Sequence, residues 1–201
     1  MPGTTKSEQL IELIGRLGVL RARDLDSHSI SRAYLGRLTK QGLIEKVGRG
    51  RYSLPGADVE GMHSLAEAAE RVPKGVVCLL SALRFHDLTT QNPFQIWMAI
   101  NVDASAPKPG GVPLRIVRFS GLALSSFIEL HTVDGAPVKV YSPAKTVADC
   151  FKFRKKIGLD VAIEALRDCL RQRKATKDEI WAAAKVCRVT SVVRPYLEAI
   201  S

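Results

Sequence analysis

"LIEKVGRGRYSLPG", residues 43–56, decides how the first part of this chain is read. Two short β-capable runs, "LIEKV" and "RYSL", are joined by Gly48-Arg49-Gly50. Apolar residues bracketing a glycine-containing turn are a hairpin signal, because glycine takes backbone angles that other residues resist. The same stretch sets Arg49 and Arg51 at and beside the turn. Arginine at a tight turn adds little to a core; it is useful where something anionic lies against the turn.

The residues before the hairpin supply its context. "KSEQLIELIGRL" (6–17) has apolar side chains at 10, 11, 13, 14 and 17, a helical spacing, and Gly18 is a natural stop. Val19-Leu20 has room only for a strand stub. "RARDLDSH" (21–28) predicts a short second helix with Leu25 inward. Ser29 or Ser31 is the predicted cap of a third helix, "SRAYLGRLTKQ", with Leu35 and Leu38 on its buried side and Gly42 closing it. The order is helix, stub, helix, helix, hairpin, which is that of a winged helix-turn-helix. In that fold the third helix enters the DNA major groove and the hairpin touches backbone or minor groove.

Charge agrees with that order. Between Ile30 and Tyr52 the basic residues are Arg32, Arg37, Lys40, Lys46, Arg49 and Arg51, against Glu45 alone. The expected DNA-binding residues are therefore Ser31, Arg32, Tyr34, Arg37 and Lys40 on the third helix, with Arg49 and Arg51 on the wing. Arginine reads guanine bidentately, Ser and Tyr more often hold phosphate, and wing arginines grip the backbone or a narrow minor groove. A winged helix used as a protein-contact module is the alternative.

The whole chain has 201 residues and a formal net charge of +10, with the excess at its two ends. Residues 150–201 alone hold twelve basic against six acidic residues. Such a surplus points to a polyanionic partner or to solvated helix faces. No run approaches the length of a membrane helix, and "MPGTTKSEQL" has no apolar signal core, so a cytoplasmic protein is expected. Cys78, Cys150, Cys169 and Cys187 lack zinc-knuckle spacing and read as reduced, partly buried thiols.

"PGADVEGM" (55–62) reads as a linker, which divides the chain into domains 1–56 and 63–201. In the second domain, Ser64 and Glu67 form a capping-box pattern and Ser81 is the predicted cap of a short helix. Residues 94–100 and 114–120 read as strands, and Asp134-Gly135 as the turn of a second hairpin. From Ser142 the pattern is helical: "AKTVADCFKFRKK" as one helix, "LDVAIEALRDCLRQRK" as another, then helices opened by Thr176–Glu179 and holding Pro195. The fold class is α+β: an N-terminal winged helix-turn-helix, then a mixed α/β domain with a small antiparallel sheet and C-terminal helices.

No P-loop, GxSxG or HExxH occurs, carboxylates are dispersed, and no metal or cofactor is called for. Ser81, His86 and Asp87 cannot converge from one helix and read as a cap, a surface imidazole and a helix-end acid. Lys145 and Asp149, at i, i+4, read as an ordinary helix-surface ion pair, and Trp97 and Trp181 as core. Lys152, Arg154, Lys155 and Lys156, with Arg171, Arg173 and Lys174, are expected to form one basic patch across neighbouring helices, with Lys145 added to it. Flanking DNA, an RNA, an acidic protein and plain solvent all remain open for that patch.

Three pieces in order, the winged helix ending in "RGRYSL", "LLSALRFHDLT", and "VKVYSPAKTVADCFKFR" followed by paired helices, resemble the AbiEi-type antitoxins of bacterial abortive-infection systems. Lys145 stands where the family usually has arginine in an "SPxRT" element. The resemblance implies a non-enzymatic type IV antitoxin and phage-defence protein that represses its own operon at inverted repeats in its promoter. It implies a nucleotidyltransferase-like toxin as functional partner without a stable complex, no membrane, and a monomer or weak dimer. A catalytic antitoxin acting on nucleic acid through the second domain is the competing class.

Overall fold

The computed structural model describes residues 5–57 and 59–200. Part of the expected linker, Asp58, and the start of the N-terminal stretch, residues 1–4, lie outside the described residues. The chain forms two compact units. The first comprises residues 1–67 and 131–138, the second residues 68–130 and 139–201. This differs from a division at residues 56 and 63, because a helix begins at Val59, inside the expected linker, and a distant hairpin tip joins the first unit.

The first unit opens with helix α1 (Lys6–Leu17), capped by Thr5 and Glu8 in a reciprocal box and stopped by Gly18 at φ 72°. Strand β1 (Val19–Arg21) follows, then a 3-10 helix (Ala22–His28) that buries Leu25. Helix α2 (Ala33–Lys40) buries Leu35 and Leu38. Neither expected serine caps it well. Ser29 sits at φ 52° and closes the 3-10 helix, while Ser31 Oγ receives only the Ala33 N–H at 3.4 Å. Strands β2 (Glu45–Gly48) and β3 (Arg51–Ser53) form the expected hairpin, with Gly50 at φ 70° in its turn. The sheet is antiparallel in the order β1-β3-β2, so the stub at 19–21 is a full partner of β3. Leu10, Ile14, Leu20, Leu25, Leu35, Leu38 and Ile44 make the core.

Helix α3 (Val59–Arg71) spans the boundary between the units. Ser64 therefore lies in mid-helix and caps nothing, because the apolar periodicity extends one turn further back than the capping pattern suggested.

The second sheet has five strands in the order β6-β5-β4-β8-β7: β4 (Val76–Val77), β5 (Ile96–Asn101), β6 (Leu114–Phe119), β7 (Ile128–Val133) and β8 (Ala136–Tyr141), of which residues 131–138 at the β7–β8 tip count with the first unit. The sheet is small, as expected, but mixed. β4 pairs antiparallel with β5, whereas β5–β6 and β4–β8 are parallel. The proline-rich segment 102–113 is long enough to carry the chain back across the sheet, which a parallel neighbour requires. Arg118 fixes that crossover by donating to the carbonyls of Asn101, Val102 and Ala104. Asp134 and Gly135 both take positive φ in the β7–β8 turn, as a two-residue hairpin of this hand demands.

Helix α4 (Leu79–Phe85) starts one residue after Cys78, so Ser81 is inside it and accepts the Trp97 N–H at 2.9 Å instead of capping. Short α5 (Leu122–Ser125) precedes the β7–β8 hairpin. Helix α6 (Pro143–Lys152) is capped by Ser142 with Pro143 in its first turn. The expected single helix breaks at Phe153; α7 (Arg154–Ile157) is a separate turn, ended by Gly158 at φ 98°. Helices α8 (Leu159–Arg171), α9 (Lys177–Cys187, with the Thr176–Glu179 box) and α10 (Thr190–Ala199) complete the unit. Their apolar faces close over α6, with Val147, Phe151, Leu166, Ile180, Ala184 and Val193 at the centre. Among the described residues no helix is long and apolar enough to cross a membrane.

Candidate functional site

Helix α2 presents its outward side because Leu35 and Leu38 fix the opposite side in the core. Ala33, Gly36, Arg37 and Lys40 are exposed along it, with Ser31 and Arg32 exposed at its start. Arg32 pairs with Asp26 at 2.7 Å, both side chains well in solvent, where such a pair holds weakly. Arg37 lies over the Tyr34 ring at 4.6 Å and donates from Nη2 to Ser7 Oγ at 2.6 Å. Tyr34 is half-buried and packs on the core, so it supports Arg37 more than it projects. Lys40 is exposed at the end of α2 and Arg49 at the tip of the β2–β3 hairpin.

Of the seven residues expected to form one contact surface, Arg51 is the one set apart. It opens β3 directly opposite Arg21 of β1. Two guanidinium groups on facing positions repel unless a carboxylate lies between them. Asp134 is that carboxylate, with a side chain only 4% exposed. Arg51 Nη2 reaches Asp134 Oδ2 at 3.1 Å; Arg21 Nη2 donates to the Asp134 carbonyl at 2.8 Å and meets Oδ1 at 3.4 Å. His63 Nδ1 lies 2.9 Å from Oδ2. All four residues belong to the first unit. Burial by itself raises the Asp134 carboxyl, but the His63 hydrogen bond and the Arg51 and Arg21 charges outweigh it and hold the group below its ordinary value. Sequence reading found the Asp134-Gly135 turn but not this role, since no local pattern links positions so far apart.

The second-unit residues fall out differently. Lys145 and Asp149 are no surface pair: their side chains are 0% and 1% exposed, with Nζ 2.5 Å from Oδ2. The Lys145 ammonium also lies 4.1 Å from the Tyr141 ring centroid and 4.8 Å from that of Phe119. Asp149 further accepts from Cys187 Sγ at 3.2 Å. Helix α6 is buried on nearly every side because α4, α8, α9 and α10 all pack on it, so i, i+4 spacing there reports the interior. Lys145 accordingly leaves the basic patch.

The remaining cations do not form one patch either. Lys152 ends α6 and Arg154, Lys155 and Lys156 lie on α7, ahead of α8, whereas Arg171 ends α8 and Arg173 and Lys174 follow it. At about 1.5 Å per residue the length of α8 keeps the groups roughly 18 Å apart. Arg154 is turned to the Phe151 carbonyl at 2.8 Å, Arg171 to Asp168 at 2.8 Å, and Lys174 to Asp87 and the His86 carbonyl.

His86 is buried rather than at the surface, its Nε2 donating to the Tyr141 carbonyl at 2.8 Å, and Asp87 is exposed. Together with the Ser81–Trp97 bond this accounts for all three groups as supports of the fold. All four cysteines are free and buried. Burial, then the Asp149 charge, pushes the Cys187 thiol up to about 12, and burial pushes Cys169 up to about 11, so neither is a nucleophile near neutrality. Among the described residues no group of three or more His, Cys, Asp or Glu is placed to hold a metal.

The residues from α1 to β3 thus put three helices and a three-stranded sheet behind a cationic outer side, and residues 8–55 match a family model described as a transcriptional regulator. That model is of the AbiEi antitoxins, in agreement with the resemblance carried by the N-terminal piece ending in "RGRYSL"; "LLSALRFHDLT" and "VKVYSPAKTVADCFKFR" lie outside the matched residues. No curated protein matches the chain.

Proposed function

We propose that the first unit is a winged helix-turn-helix that binds double-stranded DNA, with α2 in the major groove and the β2–β3 hairpin as wing. The protein is then an antitoxin and autorepressor, acting at inverted repeats in its own promoter in a type IV, AbiE-like system. Its partner is a nucleotidyltransferase-like toxin, countered without a stable complex and without catalysis by the antitoxin. The observation that carries this reading is the outward side of α2, where Arg37 and Lys40 flank the small residues Ala33 and Gly36, beside the exposed Arg49. Small residues let a helix backbone approach a groove, and the cations meet phosphate and base edges. The regulator description of the matched family supports it. The second unit, residues 68–130 and 139–201, is assigned the antitoxin role.

Fluorescence anisotropy tests the DNA reading. A labelled duplex from the upstream region is compared with a scrambled duplex at two salt concentrations, using wild-type protein, Lys40→Ala and Arg49→Ala. Wild type prefers the upstream duplex, and Arg49→Ala makes log K less steep in log salt by about 0.9, one phosphate contact. Equal weak binding to both duplexes by the wild type would refute the operator-binding role.

A further inference from the structure

Asp134 gathers Arg21, Arg51 and His63 around one carboxylate, and the two arginines lie on the sheet that carries the proposed wing. Positive groups outnumber the single acid. Neither arginine engages Asp134 as a full fork. Arg51 uses Nη2 alone while its buried Nε makes no hydrogen bond, and Arg21 also uses only Nη2. A two-nitrogen fork on an anion is the stronger arrangement for arginine, and here it is unused. The guanidinium groups are not sealed away, since the Arg21 side chain is 37% exposed and that of Arg51 30%.

We propose that Arg21, Arg51 and His63 form an anion site whose second ligand is the phosphodiester backbone of DNA, and that Asp134 is a built-in competitor for it. The inference rests on the DNA-binding reading above. With Asp134 in place, Arg51 is held on the hairpin-tip carboxylate, and Arg49 acts at the turn without it. When phosphate takes the site, the hairpin-tip carboxylate gives up its arginines. The chain thus holds back part of its own non-specific affinity, which scales with the number of neutralised phosphates. The proposal concerns binding equilibria only, with no bond made or broken.

The test is a salt titration of anisotropy in chloride buffer with four proteins: wild type, Asp134→Asn, Arg51→Ala and the double variant. Asparagine keeps the turn, since it accepts positive φ before glycine at least as well as aspartate does. Wild type and Arg51→Ala should show the same salt slope, because Arg51 is held on Asp134 and takes no phosphate. Asp134→Asn should be steeper by about 0.9 to 1.8, one or two further phosphates, which multiplies its loss of affinity between 50 and 200 mM salt by about 3.5 to 12. The double variant should lose the share due to Arg51. Two results overturn the competitor: Asp134→Asn with the wild-type slope, or Arg51→Ala as shallow as Arg49→Ala. The second reading needs only Arg51→Ala, so it decides the matter even if Asp134→Asn does not fold. Absence of duplex binding by every protein, wild type included, sinks the DNA reading as well; binding with unchanged slopes sinks the competitor alone.

Discussion

At the scale of single residues, the most costly feature is the Lys145–Asp149 pair. Both charges are withdrawn from water, and a buried pair of this kind regains its desolvation cost only through close geometry and further hydrogen bonds. Here the geometry supplies a 2.5 Å contact, two aromatic faces and the Cys187 thiol. Burial pushes the Asp149 carboxyl up, and the adjacent ammonium opposes it. Removing one partner strands the other. Asp149→Ala should therefore lower unfolding free energy by about 3–5 kcal/mol, whereas Lys145→Met with Asp149→Leu should cost far less or nothing. Urea denaturation followed by circular dichroism distinguishes the two. Equal losses would mean that the pair is not an isolated charged unit in the core. Lysine at the position where the resembled family has arginine fits this setting: Asp149 takes one bond from Lys145 on Oδ2 and one from the Cys187 thiol on Oδ1, so a planar fork is not what the site uses.

Among the elements, α2 carries an internal contradiction that points to its role. Gly36 sits in mid-helix with ordinary helical backbone, and a Cβ added there would meet nothing within 4 Å. An exposed helical glycine costs roughly 0.5–1 kcal/mol relative to alanine. Its surroundings in the fold leave room for a side chain. In the proposed DNA reading, close approach of the duplex to the α2 backbone accounts for the glycine. Gly36→Ala should raise the midpoint of thermal unfolding and at the same time weaken binding to the upstream duplex. A variant that gained stability and bound as the wild type would show that α2 is not the helix laid into the groove. The capping boxes of α1 and α9 hold no such conflict, because sequence pattern, local geometry and burial agree there.

At the scale of the whole molecule, Asp134 ties together stretches that lie far apart in the chain, and its titration makes that tie depend on pH. Its carboxyl is held below the ordinary value of 3.8. The stabilisation is therefore complete above the unfolded value, fades as the pH falls toward the folded value, and is absent below it. Asp134→Asn should unfold about 1.5–3 kcal/mol more easily than wild type at pH 7, a figure for hydrogen bonds to charged groups, and the gap should close as the pH is lowered below 3.8. Denaturant titrations of both proteins across that range measure it. A gap independent of pH would assign the loss to the turn and not to the charge cluster.

What the sequence determined by itself is local. Periodicity placed α1, α2, α8 and α9, the glycines at 48 and 50 and the Asp134-Gly135 pair placed both hairpins, and Thr176–Glu179 and Ser142-Pro143 marked helix starts, since each signal acts within one turn of chain. Charge counting found the cations of α2 and the first hairpin for the same reason. Only the tertiary structure decided which charges are spent. It buried Lys145 against Asp149, set the two C-terminal basic clusters at opposite ends of α8, turned β6 parallel to β5, and laid the Asp134 carboxylate across Arg21 and Arg51. Such pairings depend on which elements pack together, and a side chain's spacing along its own helix or strand carries no record of the neighbour it will meet.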